Sequence, residues 1–188
     1  MGYRKYAKDY EIEYVDRLDQ KKPKAVRIYV GPYFVFSASP AQVQRLRWMY
    51  TLGLLVLGAA LLIPLCIDTA TTRTWYVQVP ASAAWIPWML ALGALWRLWT
   101  AGEKVDREHY DLLYPRLSGA LVGVIFFCGI SLVGCAVFLF GRSASGTDLV
   151  VLLCDIVAVA DAVLLFSHRK GIRMTEVENP EKPQAKKK

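Results

Sequence analysis

Residues 117–140 read LSGALVGVIFFCGISLVGCAVFLF, without a single charged side chain. At about 1.5 Å per residue, a helix of this length crosses a hydrocarbon core roughly 30 Å thick. A helix of a water-soluble protein carries one apolar stripe and one charged face; this stretch has no charged face to turn to water. Residues 48–67 and 74–96 are likewise uncharged over 20 and 23 residues, and 149–167 is broken only by Asp155 and Asp161. The overall composition, 55% hydrophobic and 21% charged, hides this because the two classes are segregated along the chain. In 188 residues there is too little other mass to bury four helices that are apolar all round. The pattern therefore predicts an all-α membrane protein, a four-helix transmembrane bundle with spans near 46–67, 81–100, 117–140 and 148–167.

The distribution of charge predicts the topology. Of the 23 Lys and Arg, ten lie in residues 1–47, three in 101–116 and seven in 169–188, while Arg73 and Arg142 stand alone in the other two loops. The positive-inside rule then places both termini and the 101–116 loop in the cytoplasm of a multi-pass cell-membrane protein. The net charge of +7 reads as topology and as attraction to anionic lipid headgroups, not as a nucleic-acid footprint. Residues 1–44 are too polar for a signal peptide, so the first span is expected to act as both membrane signal and anchor. Position 6 is Tyr6, where a myristoylation signal needs Ser or Thr.

Ahead of the spans, residues 1–39 read as a small cytoplasmic β module. Tyr10, Ile12 and Tyr14 alternate with Glu11 and Glu13, and Val26, Ile28 and Val30 alternate with Arg27 and Tyr29. Period two means strand. Gly31-Pro32 then marks a turn before the β-prone residues 33–36, giving a hairpin or a three-stranded meander. Ser39-Pro40 is a cap followed by proline, the start of the first long helix within a membrane domain at 40–167. In the inner loop, Val105, His109, Leu112 and Leu113 fall at helical spacing, and a short surface helix ending at Pro115 is expected. Trp75-Tyr76-Val77 is assigned to the headgroup layer of the first outer loop. Residues 168–188 are polar, lack periodicity and are expected to be a disordered basic tail.

Asp155 and Asp161 are the sharpest chemical signals, because a carboxylate inside a span is expensive and often functional. Six residues at about 100° each turn their side chains about 120° apart, so they cannot form one paired-carboxylate site. They read either as an ion or proton relay or as structural contacts. Arg97, entering from the same side on the second span, is the expected partner of Asp161, and Ser131 or a loop arginine that of Asp155. Gly119-x-x-x-Gly123 and Ser131-x-x-x-Cys135 offer small residues four apart, suited to close helix packing within the chain or between copies. The four cysteines lack C-x-x-C spacing and read as apolar fillers. Neither a metal site nor a cofactor motif is expected, and no nucleophile–base pair can be named. An exporter of the small-drug type would carry an acidic residue in its first span, and residues 48–67 have none. The expectation is a non-enzymatic scaffold or accessory subunit that binds a protein partner or its own copies, with an ion- or proton-coupled transporter using Asp155 and Asp161 as the alternative.

Overall fold

Ser39 starts the first long helix. Its hydroxyl accepts from Gln42 N at 3.4 Å, and Gln42 Oε1 accepts from Ser39 N at 3.0 Å, so two otherwise orphaned amides are satisfied reciprocally. From this cap α1 runs over Pro40–Cys66. The computed structural model describes residues 6–15, 24–141 and 145–179. The chain is mostly helical, and four of its helices are long and apolar enough to span a membrane: Pro40–Cys66, Trp75–Thr100, Arg107–Phe140 and Gly146–Ile172.

The second of these is two segments, α2 (Trp75–Ala83) and α3 (Trp85–Thr100). Pro87 explains the break at Ala84. It has no N–H for the Ala83 carbonyl, and restarting the helix at Trp85 puts proline in a first turn, where amides have no helical partner anyway. The direction is kept because Ala84 N donates to Pro80 O at 3.0 Å and Trp88 N to Ala84 O at 3.1 Å. This span begins at Trp75, six residues earlier than the sequence suggested. Val77, assigned above to the headgroup layer, is buried against the third span at Gly134.

The third span, α4, is one helix over Arg107–Phe140, so the expected inner-loop helix and membrane span are continuous. Pro115 lies inside it. A proline removes one backbone bond, but Leu113 and Leu117 on either side are buried and hold the turn in place. Asp106 caps α4 by accepting from His109 N at 3.0 Å. The last span, α5 (Gly146–His168), runs into a 3-10 turn at Arg169–Ile172.

The helices pack in a ring. α1 lies against α3 and α5, and α4 lies against the same two and against α2, so α3 and α5 occupy opposite corners. Tyr50, Leu54, Leu57, Leu98, Leu121 and Leu165 fill the centre.

A cap sits at one end of this ring. β1 (Tyr10–Val15) pairs antiparallel with β2 (Lys24–Tyr29), Tyr10 opposite Tyr29. β3 (Tyr33–Phe36) does not continue that sheet. It pairs antiparallel with β4 (Met174–Val177), and on its other edge Phe34 exchanges both backbone bonds with Val105, at 2.7 and 2.9 Å. A hairpin plus a separate strand pair therefore replaces a meander. The C-terminal segment is ordered through Asn179 instead of being a loose tail from residue 168, while the expected disorder of 180–188 and the charged turn at 20–24, as far as residue 23, lie outside the described residues. Ile172 and Met174, both buried, dock this segment onto the bundle.

Candidate functional site

Ser131 and Cys135 are one turn apart on α4, so both side chains reach the same point on α5. There Ser131 Oγ donates to Asp155 Oδ2 at 2.9 Å and Cys135 Sγ donates to the same oxygen at 3.2 Å. Asp155 is only 5% exposed and its two donors are fully buried. Val77 O, on α2, lies 3.4 Å from Ser131 Oγ. One hydroxyl proton cannot serve both acceptors. A protonated Asp155 would donate to Ser131 and turn that hydroxyl towards Val77, so the cluster has a hydrogen-bonded arrangement for either state of the carboxyl. The four cysteines are free thiols, and among the described residues no cluster of His, Cys, Asp or Glu is able to hold a metal ion. The arrangement links α4, α5 and α2 through neutral donors in an enclosed site.

Asp161 has a different setting. Its Oδ2 is buried and has no hydrogen-bond partner among the described residues. An unpaired carboxyl at this depth costs on the order of 3 kcal/mol on insertion scales. The structure does not bring Arg97 to it. Arg97 is exposed on α3, Asp161 lies on α5 at the opposite corner of the ring, and among the described residues no ion pair joins them. What Arg97 contributes is its backbone carbonyl, 2.8 Å from His109 Nε2.

That contact belongs to a set that sequence reasoning missed. The last carbonyls of a helix have no internal partner. Arg47 on α1 donates from Nε to Leu98 O at 3.0 Å and from Nη2 to Ala101 O at 2.8 Å, closing the end of α3 with a cation where the helix dipole favours one. Tyr50, one turn further along α1, donates its hydroxyl to Leu165 O at 2.8 Å and closes the end of α5. At the other end of the bundle, Asp148 Oδ1 accepts from Thr71 Oγ1 at 2.7 Å and Thr71 N at 3.3 Å, while Oδ2 accepts from Ser145 Oγ at 2.8 Å. This ties the loop before α2 to the start of α5. Ser145-x-x-Asp148 is a capping signature readable in the sequence; its partner Thr71 is not.

The glycines divide by position. A Cβ on Gly123 would meet Pro87 Cβ at 2.9 Å, so the close approach is between α4 and α3. A Cβ on Gly119 would meet nothing within 4 Å. On α1, Gly58 leaves space for the Trp88 indole, whose Nε1 donates to Leu54 O at 3.0 Å.

In the cap, three tyrosines gather over the loop between α3 and α4. The rings of Tyr10 and Tyr29, and of Tyr29 and Tyr33, have centroids 5.2 Å apart. Tyr10 donates to Asp106 Oδ2 at 3.3 Å, and Arg107 N donates to Tyr29 Oη at 3.0 Å. Burial, and then the Asp106 carboxylate, push the Tyr10 hydroxyl up to about 12; burial also raises that of Tyr29. Phe34 stacks on Tyr110 with centroids 4.4 Å apart.

No protein-family model, curated protein or solved structure matches the chain. The functional reading rests on geometry. One carboxyl is enclosed and accepts from neutral donors, a second is half-buried with one oxygen unpartnered among the described residues, and three separate chain segments build one cap at the end of the bundle.

Proposed function

We propose that the chain is a four-span integral membrane protein, with both termini and the inner loop in the cytoplasm, that serves as a non-enzymatic scaffold or accessory subunit. The observation that carries this reading is the joining of Phe34, Val105 and β4 in one sheet. Segments from before the first span, between the second and third, and after the fourth build a single platform. Residues 1–47, 101–116 and 169–188, which take in these segments and the adjoining helix ends, hold 20 of the 23 Lys and Arg. Near a membrane surface, each such residue is worth about 1 kcal/mol of attraction to anionic lipid. β1 and β2 form a two-stranded sheet, so each keeps an outer edge to which a partner strand can add.

The interior weighs against translocation. A relay needs polar groups in sequence, but Asp155 Oδ2 accepts from Ser131 and Cys135 on one side of α5 and Asp161 points about 120° away. Reconstitution tests the choice. The purified chain in liposomes is expected to carry no proton- or ion-coupled flux, and the chain extracted from native membranes is expected to copurify with a partner at fixed stoichiometry. A flux abolished by the double change Asp155→Asn, Asp161→Asn would establish the transporter instead.

A further inference from the structure

Asp161 lies three residues after Ala158, about 60° to one side of it around α5, and Asp155 lies about 60° to the other side. Asp155 meets α4. The opposite side belongs to α1, since Leu165, one turn beyond Asp161, fills the space over Gly53. The two helices are antiparallel, so that contact sets Asp161 level with about residue 57 of α1. Residues 52–65 of α1 contain no side chain that donates a hydrogen bond. On α5, Val157, Leu164 and Leu165 surround the carboxyl one turn away, and none is polar. Among the described residues nothing reaches Asp161 Oδ2. The surface beside it is open: Val56 on α1 is 48% exposed, and Val157 and Leu164 are 37% and 50% exposed.

We infer that the α1–α5 flank around Asp161 seats the transmembrane helix of a different protein, one that carries a lysine or arginine at the depth of Asp161. Charge complementarity selects this occupant. Asp161 lies about 10 Å inside the inner end of α5, too deep for a headgroup to solvate. Asp161 as a whole is half-buried, so a basic side chain from a neighbouring helix brings the opposite charge to the accessible part of its side chain, and long basic side chains reach such a depth with their heads turned towards the surface. A second copy fits poorly, because the same flank of a twin offers another carboxyl and no donor. The inference deepens the accessory-subunit reading and rests on it.

The test uses the full chain in bilayers, labelled with a fluorescent donor at its C-terminus, and two acceptor-labelled Leu/Ala transmembrane peptides. One carries a single lysine about seven residues from its cytoplasmic end, matching the depth of Asp161; the other has leucine there. The lysine peptide is expected to associate at least about fivefold more strongly, since interhelical polar contacts in lipid are worth about 1 kcal/mol. Asp161→Leu should remove that preference while leaving thermal stability in detergent equal or higher, because an unsatisfied carboxyl is removed. If Asp161→Leu fails to fold, Asp161→Lys should bind a peptide carrying aspartate in place of lysine. Equal binding of the two peptides to the native chain would overturn the inference, as would a lysine preference that survives Asp161→Leu, or self-association that depends on Asp161. If the peptides bind equally while the native chain still copurifies with a partner and carries no flux, only this inference fails. If flux appears, the accessory-subunit reading fails with it.

Discussion

Gly58, Gly123 and Gly119 look alike in sequence and differ in what surrounds them. The space above Gly58 holds the Trp88 ring, which a Cβ would meet at 2.6 Å, and Gly123 faces the rigid ring of Pro87 at 2.9 Å. The indole is fixed by its bond to Leu54 O and the pyrrolidine by its helix, so neither can swing away cheaply. Gly58→Ala and Gly123→Ala should each destabilise the chain by about 1–3 kcal/mol, the usual range for overpacking. Gly119→Ala meets open space and replaces a poor helix former, so it should be neutral or stabilise by up to about 1 kcal/mol. Reversible unfolding in mixed micelles measures all three; equal losses at Gly119 and Gly123 would mean that the pair packs as a unit. The aspartates show the same limit of local reading. Their intramembrane position and the angle between them follow from spacing alone. Which one is satisfied depends on helix neighbours, and Arg97 was matched to Asp161 on depth alone when the ring places α3 and α5 at opposite corners.

At the scale of elements, the long spans were legible because length and lack of charge are enough to define them, whatever surrounds them. What the sequence hid depends on contacts distant along the chain. Met174–Val177 is four residues in a charged segment, and its partner strand lies about 140 residues earlier, so no local pattern marks it. Pro115 reads as a stop, yet buried Leu113 and Leu117 carry α4 through it. The strand pair has a measurable consequence. Truncation after Arg173 removes β4 and the buried Met174 and should speed hydrogen exchange in β3, while leaving the helices protected. Unchanged exchange in residues 33–36 would mean that Val105 alone holds the strand. The tyrosine cluster supplies a second probe. Tyr10 ordinarily loses its proton near 10.0 and in the fold holds it to about 12. The folded state binds that proton more tightly, so the contribution is complete below pH 10.0 and is lost as pH rises through about 12. In a tyrosinate absorbance titration, Tyr10→Phe should delete a transition near pH 12, and Asp106→Asn should move it down. Loss of a transition near pH 10 instead would place Tyr10 in solvent.

For the whole molecule, four helices long enough to span a membrane and a sheet joining the segments before the first and after the last make the same demand. β3 precedes the first long helix and β4 follows the last, yet they hydrogen-bond along their length, which requires both flanks to lie at one end of the bundle and, in a bilayer, at one face of it. At the opposite end, the Asp68–Arg73 pair and the Thr71–Asp148 tie fasten the loop before α2 to itself and to the start of α5, where arginine next to Asp68 holds its carboxyl below the usual carboxylate range. Under the positive-inside rule, the lopsided distribution of Lys and Arg predicts that the β3–β4 face is the cytoplasmic one. Tags at the two termini should therefore be cleaved together by a protease added to inside-out vesicles and protected together in right-side-out ones. A cysteine at Ala70, in a background where Cys66, Cys128, Cys135 and Cys154 are replaced, should react with an impermeant maleimide only from the other face. Separation of the two tags would be incompatible with the β3–β4 sheet and with four crossings at once. Both tags exposed outside, with position 70 inside, would keep the fold and invert its orientation, and the charge argument alone would fail.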